Sequence, residues 1–158
     1  MTELNANVTA VSGAASRLTA VLQDAYPQLL ALTEDASLMR PAKMTWCRKE
    51  ILGHLIDSAA NNHHRFVRTQ AVARLQFPAY QQDHWVAAQG YRDRPWQELV
   101  DLWRLYNQHL VHVMKRVPSE SLGNQCIVSA DEPSTLGDHM VDYVRHLKHH
   151  LAQIFTRD

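Results

Sequence analysis

Several residue types are scarce in this chain, and each scarcity limits the fold or the setting of the protein. Only five glycines occur in 158 residues, which disfavours a turn-rich architecture. Only two cysteines occur, Cys47 and Cys126, without C-x-x-C spacing and without the density of a secreted disulfide scaffold. We therefore expect the reducing environment of the cytoplasm.

Long apolar runs and an excess of one charge are also missing. No window approaches the ~18 consecutive apolar residues of a membrane span, and the N-terminus lacks the basic and apolar regions of a signal peptide. Sixteen basic residues balance sixteen acidic ones, and no Lys/Arg cluster is dense enough to neutralise a run of phosphates. We expect neither a membrane nor a nucleic-acid partner.

The spacing of the apolar residues predicts helices. Such residues recur every three or four positions, and the length suits one domain over residues 1–158. Pro27 is expected to kink the first helix or to begin a new segment, Thr45 to cap the second, and Thr135 with Asp138 to form a capping box for the last. We predict four long helices and one short connecting helix, at residues 8–36, 46–74, 81–89, 95–117 and from 135 onward.

These elements predict an all-α fold. Residues 119–134 are expected to form a loop, because the apolar run at residues 126–128 is too short to count as a strand. Four long helices joined by three connections are typical of an up-down four-helix bundle, here with a short extra helix between the second and third long helices.

Histidine is the residue in excess, with ten copies. His146 and His150 are four residues apart on the last helix, so both imidazoles lie on one face and can hold one metal ion. A third imidazole from His54 on the second helix would complete a site with three protein ligands and open coordination positions, the layout of a catalytic metal. His149 is a second-choice ligand. His63, His64, His84, His109 and His112 are interpreted as surface residues or as core imidazoles with satisfied hydrogen bonds.

Polar residues near these histidines are candidates for the rest of a site. His54, Ser58, Asn61 and Arg65 form a polar line on the second helix, and Tyr143 lies near His146 on the last. Asn61 and Arg65 could bind an anionic or amide-bearing substrate, although Arg65 could equally pair with a surface carboxylate. Asp57, one turn after His54, could orient an imidazole, act as a catalytic base, or be a solvated helix charge.

Two segments carry a resemblance to a known family. Residues 46–68, with Gly53-His54 and the polar line after them, resemble the second helix of the DinB-like superfamily, also called YfiT-like. Residues 142–154 resemble its last helix, with a His, a second His four residues later and a trailing Gln-Ile. The family's glycine after the second His is replaced by Leu151-Ala152.

The resemblance implies an up-down four-helix bundle whose divalent metal, nickel or zinc, is held by three histidines. The matching positions are His54, His146 and His150. It also implies a metal-dependent enzyme acting on a small molecule, because members of the family include metal-dependent hydrolases and transferases or isomerases that use a low-molecular-weight thiol as a further cofactor. Asp57 is the catalytic candidate, and Asn61, Arg65 and Tyr143 are the substrate-binding candidates.

Two other hypotheses belong to different functional classes. A non-catalytic bundle could bind a metal or a ligand without a competent base, and a structural interaction protein could carry its histidines incidentally. The apolar helical faces and four tryptophans also leave room for a homodimer.

Overall fold

The computed structural model describes residues 3–41, 44–129 and 132–156. No helix within these ranges is long and apolar enough to cross a membrane. Nine helices and strands follow in order: α1 (Glu3–Ala31), α2 (Glu34–Leu38), α3 (Arg48–Arg68), β1 (Arg74–Phe77), α4 (Gln82–Gln89), α5 (Trp96–Arg116), β2 (Gln125–Val128), β3 (Ser134–Thr135) and α6 (Leu136–Phe155). Three short 3₁₀ turns, Thr69–Ala71, Tyr91–Asp93 and Ser119–Ser121, join some of them.

Four long helices form the predicted bundle. Helix α1 packs against α5 and α6, and α3 packs against the same two helices. The first two long helices therefore lie on a diagonal, whereas in the simplest up-down order successive helices are neighbours. The buried apolar side chains of all four helices join in one core between them.

The first predicted helix is two helices in the structure. Helix α1 passes through Pro27 and ends at Ala31, and α2 begins separately after Thr33, whose Oγ1 accepts a hydrogen bond from the backbone N–H of Ala36 (3.1 Å). Pro27 lies inside α1, four residues before its end, so the new segment begins after Thr33 and not at Pro27. The Thr33 side chain is a standard N-cap, and it marks the new start.

The boundaries of the second predicted helix were wrong at both ends. The N-cap of α3 is Cys47, not Thr45, and the carboxylate of Glu50 accepts the backbone N–H of Cys47 (2.8 Å). The helix ends at Arg68, and residues 69–71 tighten into a 3₁₀ turn before strand β1. The predicted helix does not continue to residue 74 because residues 74–77 pair with another strand in a sheet.

The prediction that residues 119–134 form only a loop was also wrong. Strand β2 pairs in parallel with β1, with Leu75 opposite Cys126, and antiparallel with β3, giving the strand order β1-β2-β3. Such a pairing between distant segments leaves little signal in a short sequence window. The sheet lies at one end of the bundle, directly before α6.

The predicted start of the last helix is confirmed. Thr135 Oγ1 accepts from the backbone N–H of Asp138 (3.1 Å), and the Asp138 carboxylate accepts from the backbone N–H of Thr135 (3.2 Å). The short connecting helix is confirmed as α4, which ends at Gly90 in the left-handed conformation (φ 59°). Pro95 directly precedes α5, as its fixed φ favours.

Candidate metal centre

Helix α6 places His146 and His150 one turn apart at the margin of its apolar face. Leu147 and Leu151, the next residue after each histidine, are buried in the core, so both imidazoles lie half-buried at the core's edge. Their ring centroids are 4.5 Å apart. The four-residue spacing thus brings two nitrogen ligands to one side of the helix.

Helix α3 supplies His54, which is 0% exposed. The position of α3 along α6 is set by Arg48, whose guanidinium donates to the backbone carbonyls of Ile154 (2.9 Å) and Thr156 (2.9 Å) at the C-terminal end of α6. These two hydrogen bonds hold the first turn of α3 against the last turn of α6. As a result, the sixth residue after Arg48 comes to lie beside the two α6 histidines.

The three imidazoles converge closely enough to share one ion. Nε2 of His54 lies 3.3 Å from Nε2 of His146, and the His54 and His150 ring centroids are 4.7 Å apart. One nitrogen from each ring lies within 4.8 Å of the other two. A tetrahedral zinc ion with Zn–N bonds of about 2.0–2.1 Å holds its ligand nitrogens about 3.4 Å apart, so the His54–His146 separation is the one a shared ion requires.

Hydrogen bonds outside the cluster determine which nitrogens are available. Nδ1 of His150 lies 2.7 Å from Oε1 of Gln153, so Nδ1 carries the proton and Nε2 keeps its lone pair for a ligand. In the part of the chain that the structure describes, the buried Nδ1 atoms of His54 and His146 have no hydrogen-bond partner. Their Nε2 atoms face each other instead.

Burial keeps the cluster neutral. The pKa of His54 is lowered to about 3 and that of His146 to about 4, in both cases first by burial and then by the positive charge that neighbouring imidazoles would carry. The pKa of His150 is also lowered, mainly by burial. A ligand imidazole must be unprotonated, so all three are in the metal-binding form at neutral pH. The donor set and the unsatisfied buried nitrogens therefore fit a divalent metal ion.

A cavity of about 270 Å³ opens beside the cluster. It is at the lower end of the ~300–1,000 Å³ typical of ligand pockets, which suits a small molecule. His146 is common to the cluster and the cavity wall. Most of the wall is polar, and it includes Ser58, Asn62, Arg65, Tyr80, His139, Asp142 and Tyr143.

Two of the three predicted substrate-binding residues line this cavity. Arg65 is half-buried, its pKa is lowered by burial, and its guanidinium has a single long hydrogen bond to Oδ1 of Asn62 (3.5 Å) among the described residues. The predicted alternative, a surface ion pair of Arg65, is not found in the described ranges. Tyr143 contributes its ring, while its hydroxyl donates to Oδ1 of Asn107 (2.5 Å).

The third predicted substrate-binding residue, Asn61, is placed differently. Its amide donates to the backbone carbonyl of Asp57 (2.9 Å), and it is not among the described residues that line the cavity. The next residue, Asn62, lines the cavity and is held by a hydrogen bond to the carbonyl of Ser58 (2.9 Å).

Asp57 is buried, with 1% of its surface exposed, so it is not the solvated helix charge considered above. Its Oδ1 accepts hydrogen bonds from the Tyr91 hydroxyl (2.6 Å) and from Nε2 of Gln89 (2.6 Å). Oδ2 has no partner in the described ranges. Burial raises the pKa of this carboxyl group. Since Nδ1 of His54 is also unpartnered, Asp57 does not orient that imidazole.

Sequence reasoning missed Tyr91 and Gln89, which contact Asp57 from outside the two motifs, and the hydrogen bond of Gln153 to His150 within the second motif. The sequence contains one signal of the Tyr91 contact: Gly53 is an isolated glycine within a helix, which is typical of a close approach by another group. A Cβ on Gly53 would lie 2.1 Å from Cδ2 of Tyr91, so the Tyr91 ring lies flat against the α3 backbone. This close approach lets the Tyr91 hydroxyl reach Asp57.

Comparison with known proteins agrees with this architecture. YfiT from Bacillus subtilis, described as a probable metal-dependent hydrolase with an unusual four-helix bundle topology, superposes with a TM-score of 0.70 at 16% identity, covering 98% of this chain and 86% of that one. A mycothiol-dependent maleylpyruvate isomerase superposes with a TM-score of 0.74 at 10% identity, covering 98% of this chain and 62% of the isomerase. At such low identities these likenesses show the fold. No curated protein sequence matches the chain.

The sequence profile of the DinB superfamily matches residues 17–154, which include α3, α5, α6 and all three clustered histidines. The chain therefore belongs to the DinB superfamily.

Proposed function

We propose that this protein is a metal-dependent enzyme acting on a small molecule, either as a hydrolase or as a low-molecular-weight-thiol S-transferase. His54, His146 and His150 would hold one divalent ion, nickel or zinc. The observation that carries the proposal is the convergence of three neutral imidazoles beside a polar cavity. When bound, such an ion lowers the pKa of a water or thiol at its open positions and so supplies a nucleophile near neutral pH.

The two chemistries share the same residues. The descriptions of YfiT as a metal-dependent hydrolase and of the isomerase as mycothiol-dependent support a metal-centred reaction with either water or a thiol as the nucleophile. The chain spans 62% of the length of the isomerase. We therefore do not propose the substrate of the isomerase for this protein.

The cavity wall supports a substrate with an anionic group. A half-buried guanidinium without a carboxylate partner among the described side chains is stabilised when an anion enters, and the planar fork of Arg65 suits a carboxylate. Asn62 and Ser58 offer an amide and a hydroxyl on the same wall, and the Tyr143 ring closes it. We assign Asn62 the amide role that the sequence suggested for Asn61.

Asp57 is our proposed proton-transfer residue. Its unpartnered Oδ2 is the atom that would accept a proton, because Oδ1 is held by Tyr91 and Gln89. A carboxyl group with a raised pKa exchanges protons closer to neutral pH, as a general base requires. Asp57 is absent from the described cavity wall, so its contribution is expected to be smaller than that of the histidines.

Turnover by metal-loaded protein tests the proposal. Untagged protein loaded with nickel or zinc is assayed against small esters, amides and thiol conjugates that carry a carboxylate. We expect one metal ion at the cluster and turnover of at least one class, with both lost in His150→Ala. His84→Ala is the matched control, because His84 is an exposed histidine on α4 outside the cluster.

Other outcomes identify the competing functions. Tight binding of metal and ligand without turnover would favour a non-catalytic binding bundle. Substoichiometric metal that is unchanged by His54→Ala would favour a structural interaction protein. Turnover that survives His150→Ala would remove the cluster from the mechanism.

A further inference from the structure

A second group of imidazoles lies outside the three-histidine cluster, on the surface where α3 packs against α5. His63 and His64 belong to α3, and His109 and His112 belong to α5. His63 is half-buried and the other three are exposed. The proposed function uses none of them.

The His63 and His109 rings are in direct contact, edge to face, across the α3–α5 interface. Their ring centroids are 5.1 Å apart with an interplanar angle of 83°. The rings of the three-histidine cluster have similar relations, 5.2 Å and 71° for His54 with His146, and 4.7 Å and 75° for His54 with His150. In both groups one ring from α3 meets a ring from a neighbouring helix edge to face.

Tyr106 orients one of the two rings. Its hydroxyl lies 3.2 Å from Nδ1 of His63, and its ring meets the imidazole edge-on at 5.7 Å. When Nδ1 donates its proton to this hydroxyl oxygen, Nε2 is left for a ligand, which is the usual arrangement of a metal-binding histidine. Tyr106 precedes His109 by three residues, so α5 presents the orienting hydroxyl and the second imidazole on one face.

His112 offers a third nitrogen. It follows His109 by three residues, and the two rings are stacked with centroids 6.3 Å apart and an interplanar angle of 24°. Among the described residues these three rings do not form a group at ligand distance, so His112 would reach an ion held by His63 and His109 only after a change of rotamer, which its exposed side chain allows. His64 lies on the other side of His63 at 6.5 Å, tilted at 46°, and is exposed.

The charge state also suits a cation. The pKa of His63 is lowered, first by burial and then by the positive charge that His109 and His64 would carry. The imidazole at the centre of the group is therefore neutral at neutral pH, with its lone pair available.

We propose that His63 and His109, with His112 as a third ligand, form a second divalent-cation site. Imidazole ligands select borderline transition ions such as Zn²⁺, Ni²⁺ and Cu²⁺ over Mg²⁺ and Ca²⁺, which prefer oxygen. The ligands come from two helices, so the ion joins α3 to α5 and stabilises the folded protein by mass action. Solvent completes its coordination, since this site lies at the surface.

Zinc titration of metal-stripped, untagged protein by calorimetry tests this site. We expect His109→Ala to remove one bound zinc ion per chain from the wild-type total and to leave the ion at His54, His146 and His150 in place. His63→Ala should remove the same ion. His64→Ala is the matched control, because it deletes an exposed imidazole of the same patch and should leave the zinc stoichiometry unchanged.

The result separates this site from the three-histidine cluster. Should that cluster bind no metal, one zinc ion that depends on His109 is still expected. Equal stoichiometry in the wild type and His109→Ala would overturn the second site, and so would an equal loss in His109→Ala and His64→Ala, which would indicate non-specific binding. In Cu²⁺-loaded protein that carries both His146→Ala and His150→Ala, which leaves one histidine at the first site, electron paramagnetic resonance should show coupling to at least two nitrogens, and coupling to one or none contradicts the proposal.

Discussion

Helices α1 and α3 differ in whether they bury polar side chains, although both pack against α5 and α6. In the described part of α1, every buried residue is apolar: Val11, Ala14, Ala15, Leu18, Leu22, Ala25 and Leu29. Helix α3 buries, beside its apolar residues, six polar ones: Arg48, Lys49, His54, Asp57, Ser58 and Asn62. Buried polar groups cost free energy unless partners satisfy them. The difference assigns a scaffold role to α1 and the functional role to α3.

The polar residues of α3 themselves divide into two groups. In the first turn, Arg48 donates to carbonyls at the end of α6, and Lys49 pairs with Glu34 and donates to the carbonyl of Arg94 (2.6 Å). Further along, Nδ1 of His54 and Oδ2 of Asp57 are buried without partners in the described ranges. The first group fixes the position of the helix. The second group lies at the proposed site, where a bound metal ion or a transferred proton would satisfy these atoms.

Lowering the pH should have the largest effect on the stability of the metal-free protein. The effect should come from protonation of His54 on α3 and His146 on α6. The folded state holds the pKa of His54 at about 3 and of His146 at about 4, whereas unfolded histidine titrates near ~6.5. The unfolded chain therefore binds protons that the folded chain does not. The free energy of unfolding should be full above about pH 6.5 and fall steadily as the pH decreases toward about 3.

Urea denaturation between about pH 7 and about pH 4 measures this dependence. His54→Gln should flatten it, because one proton-binding difference is removed. Leu18→Ala should lower stability equally at every pH, since the buried residues of α1 do not titrate. Identical pH dependence of stability in His54→Gln and the wild type would contradict the assignment of this dependence to His54.

Leu18→Ala should have the next largest effect. Leu18 is fully buried in the scaffold helix, and removal of a buried leucine side chain costs about 2–5 kcal/mol of unfolding free energy. The metal content of the folded fraction should not change. Denaturation with parallel metal analysis measures both, and a loss of metal from folded Leu18→Ala protein would show that scaffold and site are not separable.

Gly53→Ala, in α3, should lower the free energy of unfolding by less than Leu18→Ala does. The added methyl group would lie 2.1 Å from a Tyr91 ring carbon, so the ring must move and its hydrogen bond to Asp57 must weaken. Overpacking of this kind costs about 1–3 kcal/mol. Gly123→Ala is the matched control, because a Cβ there has no heavy atom within 4 Å, and equal denaturation midpoints for the two variants would argue against the close packing.

Gln153→Ala should have the smallest effect on stability and a specific effect on metal binding. Gln153 is a positioning residue that holds Nδ1 of His150. Loss of such an outer partner typically weakens metal affinity about 10–100-fold. Competition with a chelator measures the affinity. Thr156→Ala, which removes a surface hydroxyl bonded to the carbonyl of Ala152, should leave it unchanged.

Local patterns predicted much of this molecule. The capping box of Thr135 and Asp138, the four-residue spacing of His146 and His150, and the apolar repeat of α6 are signals contained within one or two helical turns. Sequence reasoning also selected His54, and the structure brings it to the other two. Each of these features depends on residues that are near in sequence or on one helix face.

Features that depend on distant pairs were missed. The β1–β2 pairing joins residues 74–77 to residues 125–128, and the approach of Tyr91 to Asp57 requires α4 and the turn after it to fold back onto α3. The contact of His63 with His109 depends in the same way on how α3 and α5 pack. Spacing within a single helix cannot report such contacts, so the sequence predicts no shared role for these histidines.

X-ray absorption spectroscopy of nickel- or zinc-loaded protein tests the central claim most directly. The measurement uses His109→Ala protein with one equivalent of metal, so that the second proposed site does not contribute. We predict three imidazole nitrogens around the ion, and a loss of the ordered site in His54→Ala. An ion with fewer than three imidazole ligands, or a spectrum that His54→Ala leaves unchanged, would contradict the account.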